Sequence, residues 1–87
     1  PGNMKPMFLA KNCFCLSVKV LKDEHLKLLL MQPPSNISVD GIGFNLAGKR
    51  ALFESGKPLD VAFTIESNTW NGRTSLQLNI KDVRETI

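Results

Sequence analysis

The chain has 87 residues, of which 43% are hydrophobic and 22% are charged, so it is long enough for one small packed domain and too apolar for a disordered segment. Its formal net charge of +3 only weakly favours an anionic partner. No apolar run approaches the roughly 18 residues of a membrane-spanning helix, and no signal peptide is visible, so we expect no membrane association.

Residues 1–6 are predicted to be an incoming linker, because Pro1-Gly2-Asn3 is a turn-forming sequence. Such a beginning is typical of a piece cut from a longer protein. We therefore expect residues 7–87 to form the folded domain, as a fragment of a larger chain.

A long first strand is predicted from Phe8. Asn12 interrupts its alternation, and its length of about 13 residues exceeds that of ordinary strands, so a bend or a β-bulge is expected. The even positions carry the apolar residues, which are Phe8, Ala10, Phe14, Leu16, Val18 and Val20.

The two cysteines, Cys13 and Cys15, lie two residues apart on this strand, where both side chains point the same way. A metal site needs three or four ligands, and His25 is the one other soft candidate, so no metal site is predicted. We expect two buried or half-buried free thiols, which are typical of a reducing cytoplasm and predict a cytoplasmic location.

Two shorter strands follow. In the second, about residues 25–31, Leu26, Leu28 and Leu30 are predicted to face inward. After a break at Pro33-Pro34-Ser35-Asn36, the third strand covers about residues 37–44. Its inward residues are predicted to be Ile42 and Phe44, which would leave Gly41 and Gly43 on the outer surface.

A short helix is predicted at residues 46–55, capped by Asn45 and ended by Gly56, although Gly48 weakens it. The last two strands alternate in the same way as the second. Asn71-Gly72 supplies the positive backbone angles that a tight hairpin turn between them needs.

The order strand, strand, strand, helix, strand, strand predicts an all-β fold with one short helix, the five-stranded OB-fold barrel. OB-folds bind oligonucleotides or oligosaccharides on strands two and three, between the loops that join strands one to two and four to five. Those loops are residues 22–24 and 67–74 here.

Cationic and aromatic side chains converge on this predicted surface, where an indole can stack on bases and a guanidinium can pair with phosphate. Other interpretations remain open: Trp70 could pack across the hairpin, and the lysines could be the solvated face of a sheet. The outward Leu29 and Met31 could contact another protein domain. The predicted nucleic-acid-binding residues are Lys11, Lys19, His25, Lys27, Trp70, Asn71 and Arg73.

The chain resembles the OB domain of RecJ-type single-strand-specific DNA exonucleases, members of the DHH phosphoesterase superfamily. The resemblance runs nearly end to end, and Met4 departs from the family's usual proline. The segments that carry it, in order, are Pro1-Gly2-Asn3-Met4-Lys5-Pro6-Met7-Phe8, Leu9-Ala10-Lys11-Asn12, His25-Leu26-Lys27-Leu28, Asp40-Gly41-Ile42-Gly43-Phe44, Trp70-Asn71-Gly72-Arg73 and Leu76-Gln77-Leu78.

The resemblance implies that the parent enzyme degrades single-stranded DNA from a 5′ end, in DNA repair and recombination, with manganese or magnesium held in its DHH domain. It implies that this domain has no catalytic residue and no cofactor of its own. Its expected partners are single-stranded DNA and the nuclease domains of the same chain. The alternative is a protein-docking or structural buttress domain with little affinity for DNA.

Overall fold

The structure is a computed structural model that describes residues 5–87, so most of the predicted linker lies outside the described residues. Five strands close into a barrel with the order β1-β2-β3-β5-β4, which confirms the predicted fold. All neighbouring strands are antiparallel except β3 and β5, which are parallel. The elements are β1 Phe8–Leu21, β2 His25–Met31, β3 Ser38–Gly43, a 3₁₀ turn Ala47–Lys49, α1 Arg50–Phe53, β4 Leu59–Trp70 and β5 Arg73–Glu85.

Strand β1 pairs with a different neighbour along each half, and each of these pairings contains one β-bulge. Its first half pairs with β4, and the register slips between Ala10 and Cys13, where Asn12 has a φ of 58°. Its second half pairs with β2, and the register slips again between Cys15 and Ser17. The predicted bulge is thus confirmed. The slips also change which residues face inward.

The uniform even-position face predicted for β1 is therefore wrong in part. Cys13 is buried at 4% exposure, whereas Leu16, the extra residue of the second bulge, is 52% exposed. Each extra residue reverses the alternation that follows it, because successive side chains of a strand point to opposite faces. A strict period of two cannot be continued through a bulge.

Strand β2 follows the prediction, since Leu26, Leu28 and Leu30 are all buried in the core. The prediction for β3 is wrong: Gly41 and Gly43 face inward and are buried. They lie directly opposite Leu28 and Leu26. Paired residues of adjacent strands share a face, so the two glycines face the core together with the two leucines.

As a consequence, Ile42 and Phe44 point outward, contrary to the prediction. A Cβ atom added to Gly43 would lie 2.8 Å from Leu46 Cδ1 and 3.1 Å from Leu46 Cβ. Leu46 follows β3 and packs against the core at the end of the barrel that α1 closes. Glycine is thus required at position 43 because the side chain of Leu46 occupies the place of a Cβ atom.

The helix is shorter than predicted, and Asn45 does not cap it. Asn45 has a φ of 59°, and its backbone N–H donates to His25 Nδ1 over 2.9 Å. The chain then makes the 3₁₀ turn before α1, with no side-chain cap on either. Phe53 at the end of α1 is 1% exposed and fills one end of the barrel. The prediction that Gly56 ends the helix is also wrong, because α1 ends at Phe53 with Glu54 as its C-cap; Gly56 lies two residues further on, with a φ of 76°.

A carboxylate anchors the first bulge of β1 to the end of β5. Asp60 is 4% exposed, and its oxygens accept hydrogen bonds from the Asn12 backbone N–H, Arg84 Nε and Thr86 Oγ1. The hydrogen bond from Thr86 is the largest cause of a lowered pKa at Asp60, and the bonds from Asn12 and Arg84 lower it further. Asp60 therefore joins β1, β4 and β5 through one ionised group.

The two glycines of β3 should respond differently to substitution. Gly43→Ala should destabilise the domain by about 1 to 3 kcal/mol, the usual cost of overpacking, because all of Leu46 must move. At Gly41 the nearest atom to an added Cβ is Ile80 Cγ1 at 3.4 Å, which is an ordinary contact. Gly41→Ala should therefore change the free energy of unfolding in urea only slightly. Equal losses for both variants would contradict this account of the packing.

Acid should weaken the Asp60 anchor. Because the folded-state pKa of Asp60 lies below its unfolded-state value, ionised Asp60 stabilises the fold above the unfolded pKa. That stabilisation disappears as the pH falls through the folded pKa. The melting temperature, followed by circular dichroism, should fall below about pH 4. Asp60→Asn should melt lower than wild type at pH 7 and lose less on acidification. Asp23→Asn, in an exposed loop, is the control, and identical acid profiles for Asp60→Asn and wild type would refute the proposed role.

Candidate nucleic-acid interface

One row of outward-facing residues crosses the barrel where the sequence analysis places a ligand. Lys19 on β1 lies directly opposite Lys27 on β2, and Lys27 lies opposite Ile42 on β3. Ile42 in turn lies opposite Asn79 on β5. Both lysines are exposed. The barrel thus brings together two cations that are eight positions apart in sequence, next to an apolar side chain.

The two lysines have no internal counter-charge. Neither forms a salt bridge with any of the described residues, whereas Lys5, Lys57 and Arg84 each contact a carboxylate. Like charges directly opposite each other on adjacent strands are destabilising. An anion placed between Lys19 and Lys27 would remove that repulsion, so this pair is suited to a phosphate.

An exposed aromatic ring lies beside this row. Phe44 is 49% exposed, and its ring meets the ring of His25 edge to face, with centroids 5.4 Å apart. His25 itself is held in place: Nδ1 accepts the Asn45 N–H, and Nε2 lies 3.7 Å from Glu24 Oε2. His25 therefore orients Phe44, and Phe44 offers the freer surface for stacking.

Sequence reasoning missed Phe44 because it assigned β3 to the wrong face. The signal that could have corrected it is the pairing of large with small residues. The three inward leucines of β2 leave little room for Ile42 and Phe44 on the neighbouring strand, whereas glycines at 41 and 43 fit opposite them.

The second group of predicted residues lies at the tip of the β4–β5 hairpin. Trp70 is directly opposite Arg73, and Asn71 and Gly72 form the turn with φ values of 51° and 75°. Trp70 is 78% exposed, so packing across the hairpin covers little of it. Trp70, Asn71 and Arg73 line a shallow surface groove together with Asn68 and Ser75.

The hairpin tip and the lysine row are separate parts of the outer surface. Along β5, the path from Arg73 to Asn79 is about 20 Å at the usual rise of a strand. Both groups face outward from the same sheet, with Asn79 paired to Ile42 of the lysine row. A ligand that contacts both must be extended, as a single strand of several nucleotides is.

The structure does not place Lys11 beside Lys19 and Lys27. Lys11 lies within the first bulge, in the half of β1 that pairs with β4, and its carbonyl accepts a hydrogen bond from Gln32 Nε2 over 2.8 Å. The second bulge separates it from Lys19. Lys11 is exposed near the β2–β3 loop, at the other end of the strand.

Within residues 5–87, no three His, Cys, Asp or Glu side chains are grouped so that they could hold a metal ion. Cys13 and Cys15 are free thiols, as predicted, and burial raises the pKa of both. No helix in this part of the chain has the length and apolar character needed to cross a membrane.

A closed five-stranded barrel with a short helix between β3 and β4 defines this chain as an OB-fold domain. Within that class, the family described as the RecJ OB domain matches residues 1–82, and the chain belongs to it. No curated protein matches the chain. Membership of this family confirms the resemblance found in the sequence.

Reversing one charge of the lysine pair should stabilise the fold. Lys27→Glu replaces the repulsion with Lys19 by an attractive cross-strand pair, which should raise the free energy of unfolding by about 0.2 to 1 kcal/mol at low salt. Lys22→Glu makes the same charge change in the β1–β2 loop, where no lysine lies opposite, and should give no such gain. Urea titration at low and high salt measures both. A stability loss for Lys27→Glu at low salt would show that the lysines do not repel each other.

Proposed function

We propose that this domain binds single-stranded DNA on the outer face of β2 and β3 and at the tip of the β4–β5 hairpin. The observation that carries the proposal is the Lys19–Lys27 pair, exposed and without a counter-charge, beside the exposed ring of Phe44. Membership of the RecJ OB domain family supports the choice of nucleic acid over oligosaccharide.

The proposed binding uses the cations for phosphates and the aromatic rings for bases. A phosphate lies between Lys19 and Lys27, where it neutralises two like charges at once, and a neighbouring base stacks on Phe44. Further along the strand, Trp70 receives a second base and Arg73 contacts a phosphate. Stacking and phosphate contacts tolerate any base, so the proposed binding depends little on sequence.

In this proposal the domain is an accessory part of a RecJ-like exonuclease that acts in DNA repair and recombination in the cytoplasm. It holds the strand, and hydrolysis takes place in the nuclease domains of the same chain with manganese or magnesium. The described residues offer no ligand group for such a metal. We therefore assign no chemical step to this domain.

The alternative proposal is a docking or buttress role. Its support is the half-buried pair Leu29 and Met31, which point outward on β2 between Lys27 and the β2–β3 loop. A domain that only docks or buttresses should show no affinity for single-stranded DNA, so one titration separates the two proposals.

The electrostatic part is tested with labelled oligo-dT, whose anisotropy is followed at several salt concentrations. Lys19→Ala and Lys27→Ala should each weaken binding and reduce the slope of log affinity against log salt by about 0.7 per lost phosphate contact. Lys11→Ala should do so only if the bound strand also follows the first half of β1. Lys57→Ala is the control, because Lys57 is paired with Glu85 at 3.4 Å.

The stacking part is tested with Phe44→Ala and Trp70→Ala. Each should cost about 1 to 3 kcal/mol of binding free energy with little change in the salt slope, since a base and not a phosphate loses its contact. Trp70 is the only tryptophan, so the quenching of its fluorescence by oligo-dT reports directly on stacking. Thermal melts check that each variant is folded.

Equal binding by wild type and all these variants would rule out the proposed surface. So would the absence of binding even at low salt. The docking or buttress role would then be the better account.

A further inference from the structure

Strand β5 has a free edge for part of its length. Its first residues pair with β4 back to the turn, where Trp70 lies opposite Arg73. On its other side, β3 pairs with β5 only at Gly41 with Leu78 and at Ile42 with Asn79. Within residues 5–87, residues 73–77 of β5 therefore have a strand on one side only.

The free edge presents regularly spaced backbone groups. In an antiparallel pair, alternate residues direct both their N–H and their C=O to the same neighbour. Arg73 closes the two-residue turn and directs its groups to Trp70, so Thr74 and Leu76 direct theirs away from β4. Leu78, two residues further along, is where β3 pairs with this same edge. Two N–H and two C=O groups thus face an open position.

Apolar surface adjoins this edge. Leu76 is 64% exposed, and Val39 and Ile37 on the other side of the opening are 38% and 71% exposed. Val39, Ile37 and the neighbouring Leu78 also line a cavity of about 400 Å³ that leads into the barrel. Phe53 of α1 is buried and fills the opposite end, whereas no helix formed by residues 5–87 covers this one.

The charges around the opening favour an acidic occupant. Arg73 begins the free edge. Lys11 lies beside Gln32, which lines the cavity. Neither cation contacts a carboxylate in the part of the chain that the structure describes. Glu66 is already paired with Lys5 at 3.1 Å. Asp40, exposed next to Val39, adds one carboxylate that forms no salt bridge among residues 5–87. The two cations outnumber it, so the opening is complementary to a carboxylate.

We propose that this opening binds an extended peptide segment, with apolar side chains at alternate positions and a flanking carboxylate. The peptide adds as a strand to Thr74 and Leu76, and its apolar side chains enter the cavity beside Val39 and Leu78. Only a polypeptide strand offers amide donors and acceptors at the spacing of this edge. Residues 73–77 contain neither proline nor lysine, the residues that commonly protect an edge from pairing.

The probe is a labelled synthetic peptide, acetyl-Asp-Val-Thr-Val-Thr-Val-Asp-amide, titrated into the 87-residue chain and followed by anisotropy. One matched peptide carries N-methyl groups on alternate residues, which removes the donors that would pair with β5. Another has lysine in place of both aspartates. The N-methylated peptide should bind at least about tenfold more weakly than the probe, which corresponds to about 1.4 kcal/mol. The peptide with lysines should also bind more weakly.

Three variants test the protein side. Leu76→Ser removes an apolar contact on the inner face and should weaken binding at least about tenfold, whereas Gln77→Ser, on the outer face of the same strand, should leave it within about twofold. Thr74→Pro removes one edge N–H without breaking the β4–β5 ladder, and it should also weaken binding. All three substituted positions are exposed or half-buried, and melting curves verify folding.

Absence of binding at millimolar peptide, or equal binding of the N-methylated peptide, would overturn the proposal. Sedimentation that shows a dimer of this chain lost in Leu76→Ser would assign the edge to a second copy instead. Competition by oligo-dT together with weaker oligo-dT binding in Leu76→Ser would assign it to nucleic acid. Peptide binding that is insensitive to oligo-dT supports a surface distinct from the proposed DNA site.

Discussion

The double bend of β1 is the constraint on which the rest of the barrel depends. Strand β1 pairs with β4 along its first half and with β2 along its second half, and a strand of 14 residues must coil to follow the closed barrel. The bulges at residues 10–13 and 15–17 supply the change of direction. Asp60 fixes the first bulge by accepting the Asn12 N–H, and its other hydrogen bonds come from Arg84 in β5 and from Thr86 just after it.

Packing inside the barrel determines which side chains of β3 lie on its outer surface. The three leucines of β2 occupy the interior, and Leu46 leaves no room for a side chain at Gly43, opposite Leu26, so β3 turns its glycines inward. Because side chains alternate, this choice sends Ile42 and Phe44 to the outer surface, beside the Lys19–Lys27 pair. A core requirement for small residues thus produces the apolar part of the proposed DNA-binding surface.

The β4–β5 hairpin takes part in both proposed surfaces because its two faces differ. Trp70 and Arg73 lie on the outer face, where they extend the region of the lysine row. Leu76 lies on the inner face, above the open end of the barrel, and is flanked by unpaired backbone groups. The hairpin extends past the last β3–β5 pair, which leaves it free to contact a ligand on either face.

Much of this architecture is determined by local sequence. The strict alternation of β2 predicts its buried face, because no bulge interrupts it. Asn71-Gly72 predicts the hairpin turn, since both residues tolerate positive φ. The order of the elements predicts the barrel, and the exposure of Lys19, Lys27 and Arg73 follows from their positions on the polar faces of amphipathic strands.

Tertiary structure decided the remainder, for physical reasons that no single segment contains. Alternation in β3 is compatible with either face, and the close approach of Leu46 to Gly43 favours glycines on the inner face. The bulges of β1 belong to its path around the closed barrel, so the burial of Cys13 and the separation of Lys11 from Lys19 could not be predicted from periodicity. Asn45 looks like a helix cap, but its N–H bonds to His25, and the helix starts later. The free edge of β5 exists only because β3 ends its pairing at Gly41, a property of the closed barrel and of no local pattern.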